Sequence, residues 1–478
     1  MKQLALVVAL TLATPAFAQT LDQRIAAKLA EAPLGTRFGL MVTDPDGKEI
    51  VAINPDGRFI PASNTKIYTT VTAFALLPGI NQPDTGGGAT VTLVGQDVVL
   101  AGRGDARMSS ADDCTVDCLA TLADAIAAKT KHVRNIIGDD TIFPDQRWSP
   151  GMSWNNIPSS SGTGISALTL DDNELKLTIT PARPGEPAKA DLWPYFTIDN
   201  QAKTVAGAET ELGWDRDPNG KTLRITGTIG ADAKPKTWKL GIDDPADYAA
   251  WRLKVLLEAR GVKVKGQVQT RHRPLAPIDD PEYRAKKGVA LARAVPAAPA
   301  LASLTPAPVA EDLKHINKVS QNLHAELTLR RLAVLQGNGA IADGVAQVQS
   351  VLEKAGVPRT AWDLSDGSGM SSYNRVSPRS SVTLLRWVSA QPWAVQFRET
   401  LPIAGVDGTL SRRFKGTPLE GKVFAKTGTL NATNALAGYF TGASGKTYTF
   451  AFYANDVPGD VSATRYMDDV LNLVAAAN

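Results

Sequence analysis

The sequence predicts an α+β protein with a large β-rich insertion, and three stretches predict it. Near the start, an amphipathic helix over Leu21–Ala30 leads into strand patterns at Arg37–Thr43 and Lys48–Ile53. The turn Asp44-Pro45-Asp46-Gly47 between them makes a β-hairpin. Near the end, strand patterns at Lys422–Ala425, Leu436–Phe440 and Thr447–Tyr453 precede a helix from about Ser462 to Ala477. Together these fit one antiparallel sheet covered by helices. In the long middle section strand patterns dominate, at Ala89–Val94, Asp97–Ala101, Leu168–Pro181, Leu223–Ile229 and Lys236–Ile242. Helical spacing appears there over Leu119–Lys129 and Asp247–Gly261, the second ending in Arg260-Gly261 as a C-cap would.

Two more elements complete the chain. Pro61-Ala62-Ser63-Asn64-Thr65-Lys66 opens a helix in which Ile67, Val71, Phe74 and Leu77 recur at helical spacing, until Pro78-Gly79 stops the run. A helical run also covers His315–Leu335, and Val289–Pro308, rich in Ala and Pro, reads as a linker.

The 478 residues are 43% hydrophobic and 21% charged, a globular balance at a length that invites more than one domain. A net charge of +3 is too small to imply a nucleic-acid or membrane-surface partner. Met1-Lys2, the apolar run Leu4–Ala13 and Ala16-Phe17-Ala18 form a secretory signal over residues 1–18, so a mature chain beginning at Gln19 is expected. No later apolar run approaches membrane-spanning length, so an exported protein without a membrane span is expected. Cys114 and Cys118 in an exported chain read either as a local disulfide or as two thiols, and no third sulfur or nearby histidine suggests zinc. His132, His272, His315 and His324 show no metal spacing, and neither cofactor nor metal is implied.

The chemistry begins at Ser63 and Lys66. Three residues apart at a helix start, the hydroxyl and the amine share one face. A serine needs a base to become a nucleophile, and a lysine serves once it is neutral. Burial and the positive end of the helix dipole both disfavour its charged form. Alone, S-x-x-K reads as an N-capping serine beside a solvated lysine, but two further motifs follow in order. These are Ser320-Gln321-Asn322 in the helical run and Lys426-Thr427-Gly428-Thr429 after the strand Lys422–Ala425. S-x-x-K with S-D-N and K-T-G elements is the signature of penicillin-binding proteins and class A β-lactamases. A Ser-His-Asp mechanism using His324 is the alternative, and it leaves most of these motifs unused.

The flanking blocks Asn317–Glu326, Asp366-Gly367-Ser368-Gly369-Met370 and Leu401–Leu410 sharpen the match. With them the chain resembles the D-alanyl-D-alanine carboxypeptidase/endopeptidase family, the class C low-molecular-mass penicillin-binding proteins, from about Leu21 to the C-terminus. The resemblance implies a penicillin-binding/β-lactamase-like catalytic domain over 19–82 and 287–478, whose sheet is closed by both chain ends. It implies an insert of two nested domains, one over 83–107 and 195–286 and the other over 108–194. Val289–Pro308 then becomes the return crossing.

By resemblance, Ser63 is the nucleophile and Lys66 its base, kept neutral by the second cation Lys426. Ser320 relays a proton to the leaving amine, and Asn322 holds the substrate amide. The backbone N–H groups of Ser63 and Thr429 form the oxyanion hole. Lys426, Thr427 and Thr429 receive a terminal carboxylate, and Gly428 permits close backbone approach. The implied substrates are peptidoglycan stem peptides and cross-links, with β-lactams as covalent inhibitors and the periplasm as the compartment. Two positions depart from the family: Gln321 replaces a frequent aspartate, and Ser372 a frequent arginine suited to an anionic group on the stem. Asp366 reads as a structural turn residue. A β-lactamase or esterase on this scaffold must deacylate fast, and no residue stands out as a base for that step. A non-enzymatic penicillin-binding scaffold is the third reading.

Overall fold

The computed structural model describes residues 19–291, 299–459 and 461–478. The expected signal over 1–18 lies outside the described residues, and the linker stretch Val289–Pro308 lies partly outside them. At the centre of the catalytic part is a five-stranded, wholly antiparallel sheet. Its order is Val423–Leu430, Thr433–Thr441, Thr447–Asn455, Arg37–Thr43, Glu49–Ile53, so the two chain ends do close one sheet. On one face, Leu21–Ala30 and Thr464–Ala477 pack Ile25, Met467, Val470 and Val474 against Leu40, Val42, Phe450 and Phe452. Against the other lies a helical layer that includes Thr65–Leu76, Val309–Val319, Asn322–Ala333, Ile341–Lys354 and Pro378–Ser389. Thr65–Leu76 is buried almost all round, from Thr65 to Phe74, as its apolar run requires.

Several local expectations change. The strand expected over Leu168–Pro181 starts only at Glu174, because Asp171, Asp172 and Asn173 take left-handed turn conformations. The run His315–Leu335 is two helices, Val309–Val319 and Asn322–Ala333, broken at Ser320, whose φ of 65° and ψ of 38° no helix tolerates. Apolar spacing continues on both sides of the break, so the pattern conceals it. The K-T-G-T residues lie inside the edge strand Val423–Leu430 rather than after it.

The insertion has its own core. One five-stranded sheet runs Val268–Arg273, Ile136–Pro144, Asp97–Ala101, Thr90–Val94, Ala302–Ser303. Ile136–Pro144, second in this order, pairs in parallel with both of its neighbours, Asp97–Ala101 and Val268–Arg273. Lys236–Gly241 pairs with Glu174–Thr180, and Thr222–Gly230 with Thr197–Asn200, Lys203–Val205 and Thr210–Asp215. These two sheets thus gather strands that lie between Glu174 and Gly241. Period-two alternation marks a strand but does not say which strand it pairs with. Cys114 and Cys118 are disulfide-bonded.

Candidate active site

Ser63 is part of a short 3-10 turn, Ala62–Asn64, immediately ahead of the Thr65–Leu76 helix. It is half-buried while Pro61, Ala62 and every residue from Asn64 to Phe74 are buried, so its hydroxyl is what this stretch presents. The turn is held from two sides by glycines. A Cβ at Gly428 would stand 2.6 Å from the Pro61 carbonyl. A Cβ at Gly369, whose φ is 91°, would overlap the Ala62 carbonyl.

Lys66 is fully buried, and its Nζ lies 2.9 Å from Ser63 Oγ, 2.7 Å from Asn322 Oδ1 and 2.6 Å from the Ser368 carbonyl. As a neutral amine it donates to Asn322 and Ser368 and turns its lone pair to the Ser63 proton. Burial lowers its pKa to about 7 against the pull of Asp366 and Glu326. The expected cause, Lys426, is therefore not the leading one. Lys426 is itself held well below its usual range by burial and then by Lys66, since two buried ammonium groups resist being charged together.

Lys426 Nζ lies 2.9 Å from Ser320 Oγ and donates to the Thr427 carbonyl at 2.9 Å. These are two partners for a group with three donors. Asn64 Nδ2 donates to the Lys426 carbonyl, tying the strand to the Ser63 turn. The left-handed residue Ser320 points its hydroxyl at Lys426, while Asn322, at the start of the next helix, reaches Lys66. Asn322 Nδ2 donates to the Ser161 carbonyl of the insertion at 3.0 Å. Thr427 is half-buried, Gly428 buried and Thr429 exposed on the edge strand. The five predicted catalytic residues thus form two contact groups, Ser63–Lys66–Asn322 and Ser320–Lys426.

His324 takes no part. Its ring nitrogens are bonded to Asp172 and Asp312, so the Ser-His-Asp alternative fails. Asp366 is the turn residue expected: its carboxylate accepts from the N–H groups of Gly369 and Ser371 and from Asn374 Nδ2. Ser372 bonds the Gly151 carbonyl through both N–H and hydroxyl, so the insertion abuts the loop where the departure lies. Sequence reasoning missed Glu326 as a member of the site. Its buried carboxylate accepts from Gly367 and Ser368 N–H at 3.0 and 2.9 Å and so holds the carbonyl that Lys66 uses. The available signal was an acidic residue four positions after Asn322, on the same helical face.

A half-buried serine beside a buried lysine, faced by a second lysine–serine pair between an edge strand and a helical layer, is an arrangement suited to hydrolysis through an acyl-serine. The chain belongs to the D-Ala-D-Ala carboxypeptidase 3 (S13) family, whose pattern it matches over residues 21–280 and 282–477. It is 33% identical over 435 residues to a D-alanyl-D-alanine carboxypeptidase of Actinomadura sp. (strain R39), covering 86% of this chain and 76% of that one. It is 25% identical over 459 residues to the D-alanyl-D-alanine carboxypeptidase DacB of Haemophilus influenzae, covering 92% and 89%. The solved penicillin-binding protein 4 (dacB) of Haemophilus influenzae has the same fold, with a TM-score of 0.76 at 21% identity over 94% of this chain and 97% of that one. That protein has also been solved in complex with a β-lactam, matching with a TM-score of 0.73 at 21% identity over 95% of this chain and 99% of that one. The chain is a serine-type D-Ala-D-Ala carboxypeptidase by family.

Proposed function

We propose that this protein is an exported, periplasmic D,D-peptidase that removes terminal D-Ala from peptidoglycan stem peptides and cuts peptide cross-links through acyl-Ser63. The carrying observation is the 2.9 Å contact between Ser63 Oγ and a fully buried Lys66. Ser63 Oγ attacks the penultimate D-Ala carbonyl, and its proton passes to Lys66 Nζ. The oxyanion is held by the backbone N–H groups of Ser63 and Thr429, a contribution of about 3 kcal/mol per donor. The C–N bond then breaks, with a proton delivered to the leaving amine through Ser320. Water next attacks the ester, releasing the shortened peptide and Ser63. Asn322 holds the substrate amide, and Lys426 with Thr427 and Thr429 receives the terminal carboxylate. What supports the last assignment is that Lys426, when it carries the charge and Lys66 is neutral, has one donor left over, and Thr427 follows it on an edge strand. No helix among the described residues is long and apolar enough to cross a membrane. We also take the inner unit of the insertion to be the sheets between Glu174 and Gly241.

A β-lactam amide presents the same carbonyl, but its leaving group stays tethered after ring opening and obstructs water. Intact-mass analysis after incubation with penicillin should show one persistent adduct, absent in Ser63→Ala. Lys66→Ala should fold and acylate about 10²–10⁴-fold more slowly. Fast release of hydrolysed antibiotic would point to a β-lactamase, and no adduct at all would remove the acyl-serine reading. Mass spectrometry of products from a cross-linked muropeptide separates the two peptidase activities.

A further inference from the structure

The segment Leu401–Leu410 carries none of the three motifs, yet it joins two of them. Its Pro402 carbonyl accepts from Ala425 N–H at 3.0 Å, and Ala404 N–H donates to the Val423 carbonyl at 3.0 Å. It thereby covers the outer edge of the first half of the Val423–Leu430 strand. From Thr427 onward that edge carries no strand partner among the described residues. The segment then turns toward the Ser320 break. Lys318 and Asp407 form an ion pair at 2.6 Å, and the other Asp407 oxygen accepts from Ile403 N–H at 2.8 Å. Gly408, with φ 56°, passes so near the Lys318 carbonyl that a Cβ would stand 2.6 Å from it. The next residue, Thr409, is exposed, and its hydroxyl lies 2.6 Å from the Thr427 hydroxyl.

We propose that Thr409 is a specificity-determining residue that orients the Thr427 hydroxyl toward the substrate's terminal carboxylate. A hydroxyl has one proton and two lone pairs. Within the Thr409–Thr427 pair one hydroxyl spends its proton on the other, and the second proton remains free for an anion. Thr409 donating to Thr427 frees the Thr427 proton, beside the remaining donor of Lys426. The pair and the ammonium then form a receptor for a carboxylate at the point where the covered half of the strand begins. A substrate strand laid along Thr427–Leu430 has to end there. The receptor therefore reads a free carboxylate on the residue that leaves, whether that residue is a terminal D-Ala or the acceptor end of a cross-link. The ammonium supplies attraction, and the hydroxyl pair supplies direction.

This rests on the D-Ala-D-Ala reading above, and the test separates the two. Activated ester substrates ending in D-Ala-D-lactate, with the terminal carboxylate free or amidated, keep both acylation rates measurable. Thr409→Val preserves shape and removes the hydroxyl, while Thr409→Ser restores it. The expected result is about a tenfold to hundredfold loss in kcat/KM for the free acid in Thr409→Val, the scale of a lost hydrogen bond to a charged group. The amide should change little, and Thr409→Ser should return near the wild-type value. Equal losses for acid and amide, or no loss in a wild type that does discriminate, overturns the role of Thr409. A wild type that treats acid and amide alike overturns the carboxylate reading itself, and the Thr409 proposal with it.

Discussion

In the proposed mechanism Lys66 has to be neutral to take the Ser63 proton, and a pKa lowered to about 7 places that near neutral pH. The amine is charged below that value and neutral above it, so acylation should rise with pH through about 7 and level off beyond. Burial lowers the pKa, while Asp366 and Glu326 oppose it. Glu326 itself is raised to about 7 by burial and by Asp366. Glu326→Gln keeps an oxygen for the Gly367 and Ser368 N–H groups but removes the negative charge, so the rising limb should move to lower pH by up to about one unit. Second-order rates of β-lactam acylation between pH 5 and 9 measure it, and an unmoved or upward-shifted limb refutes the tuning. At this scale the sequence was most readable. Ser63, Lys66, Asn322, Ser320 and Lys426, named from motifs, do lie together in two contact groups, because each motif is short and its spacing is set by helix or strand geometry. Glu326 and the Ser368 carbonyl were not named from motifs, because a backbone carbonyl has no signature and one glutamate in a helix resembles any other.

Among the elements, the break between Val309–Val319 and Asn322–Ala333 does most to shape the site. Ser320 holds a left-handed conformation that costs an L-residue about 1–2 kcal/mol, and in return its side chain leaves the helical face and meets Lys426. Gly populates that region without penalty. Ser320→Gly should therefore be more stable than Ser320→Ala by about 1 kcal/mol, although both lose the hydroxyl and both slow acylation. Urea unfolding of the two variants tests this, and equal midpoints would mean that the turn relaxes once the Lys426 contact is gone. Helix and strand identities followed from periodicity almost throughout, from Leu21–Ala30 to Thr464–Ala477. What periodicity could not convey was a single-residue inversion between two amphipathic helices, since Leu313, Ile316, Leu323 and Leu327 are all buried on either side of it.

For the molecule as a whole, the question is what holds the insertion to the catalytic part. Its sheets could not be assigned from sequence, because strands far apart in the chain, such as Asp97–Ala101 and Val268–Arg273, share one neighbour. The join combines apolar packing of Ala106, Phe143 and Ala167 against Leu323 and Leu327 with a set of ion pairs. His324, on the same helix as Asn322, places Nε2 2.9 Å from Asp172 of the insertion and Nδ1 3.2 Å from Asp312 of the catalytic part. Arg107 of the insertion pairs with Asp312 and, at 2.9 Å, with Glu311. The nearby His315 ring, 5.0 Å away, has its pKa lowered by burial and by His324, so the positive charge sits on His324. Burial opposes that charge, but the bonds to Asp172 and Asp312 outweigh it and raise the His324 pKa to about 9. A histidine whose folded pKa exceeds its unfolded value near 6.5 contributes stability that is full below 6.5 and lost as pH rises through 9. At neutral pH the contribution is on the order of 2 kcal/mol. Above pH 9 the neutral ring has one N–H and can donate to only one of its two aspartates. The expected outcome is a urea midpoint that falls for the wild-type chain between pH 7 and 10. For His324→Gln it should start lower and lose less over the same range, the remainder set by other groups such as His272, which adds to the fall, and Lys66, which opposes it. Parallel falls in both proteins would assign the pH dependence to other groups and leave His324 as a neutral packing residue between Asp172 and Asp312.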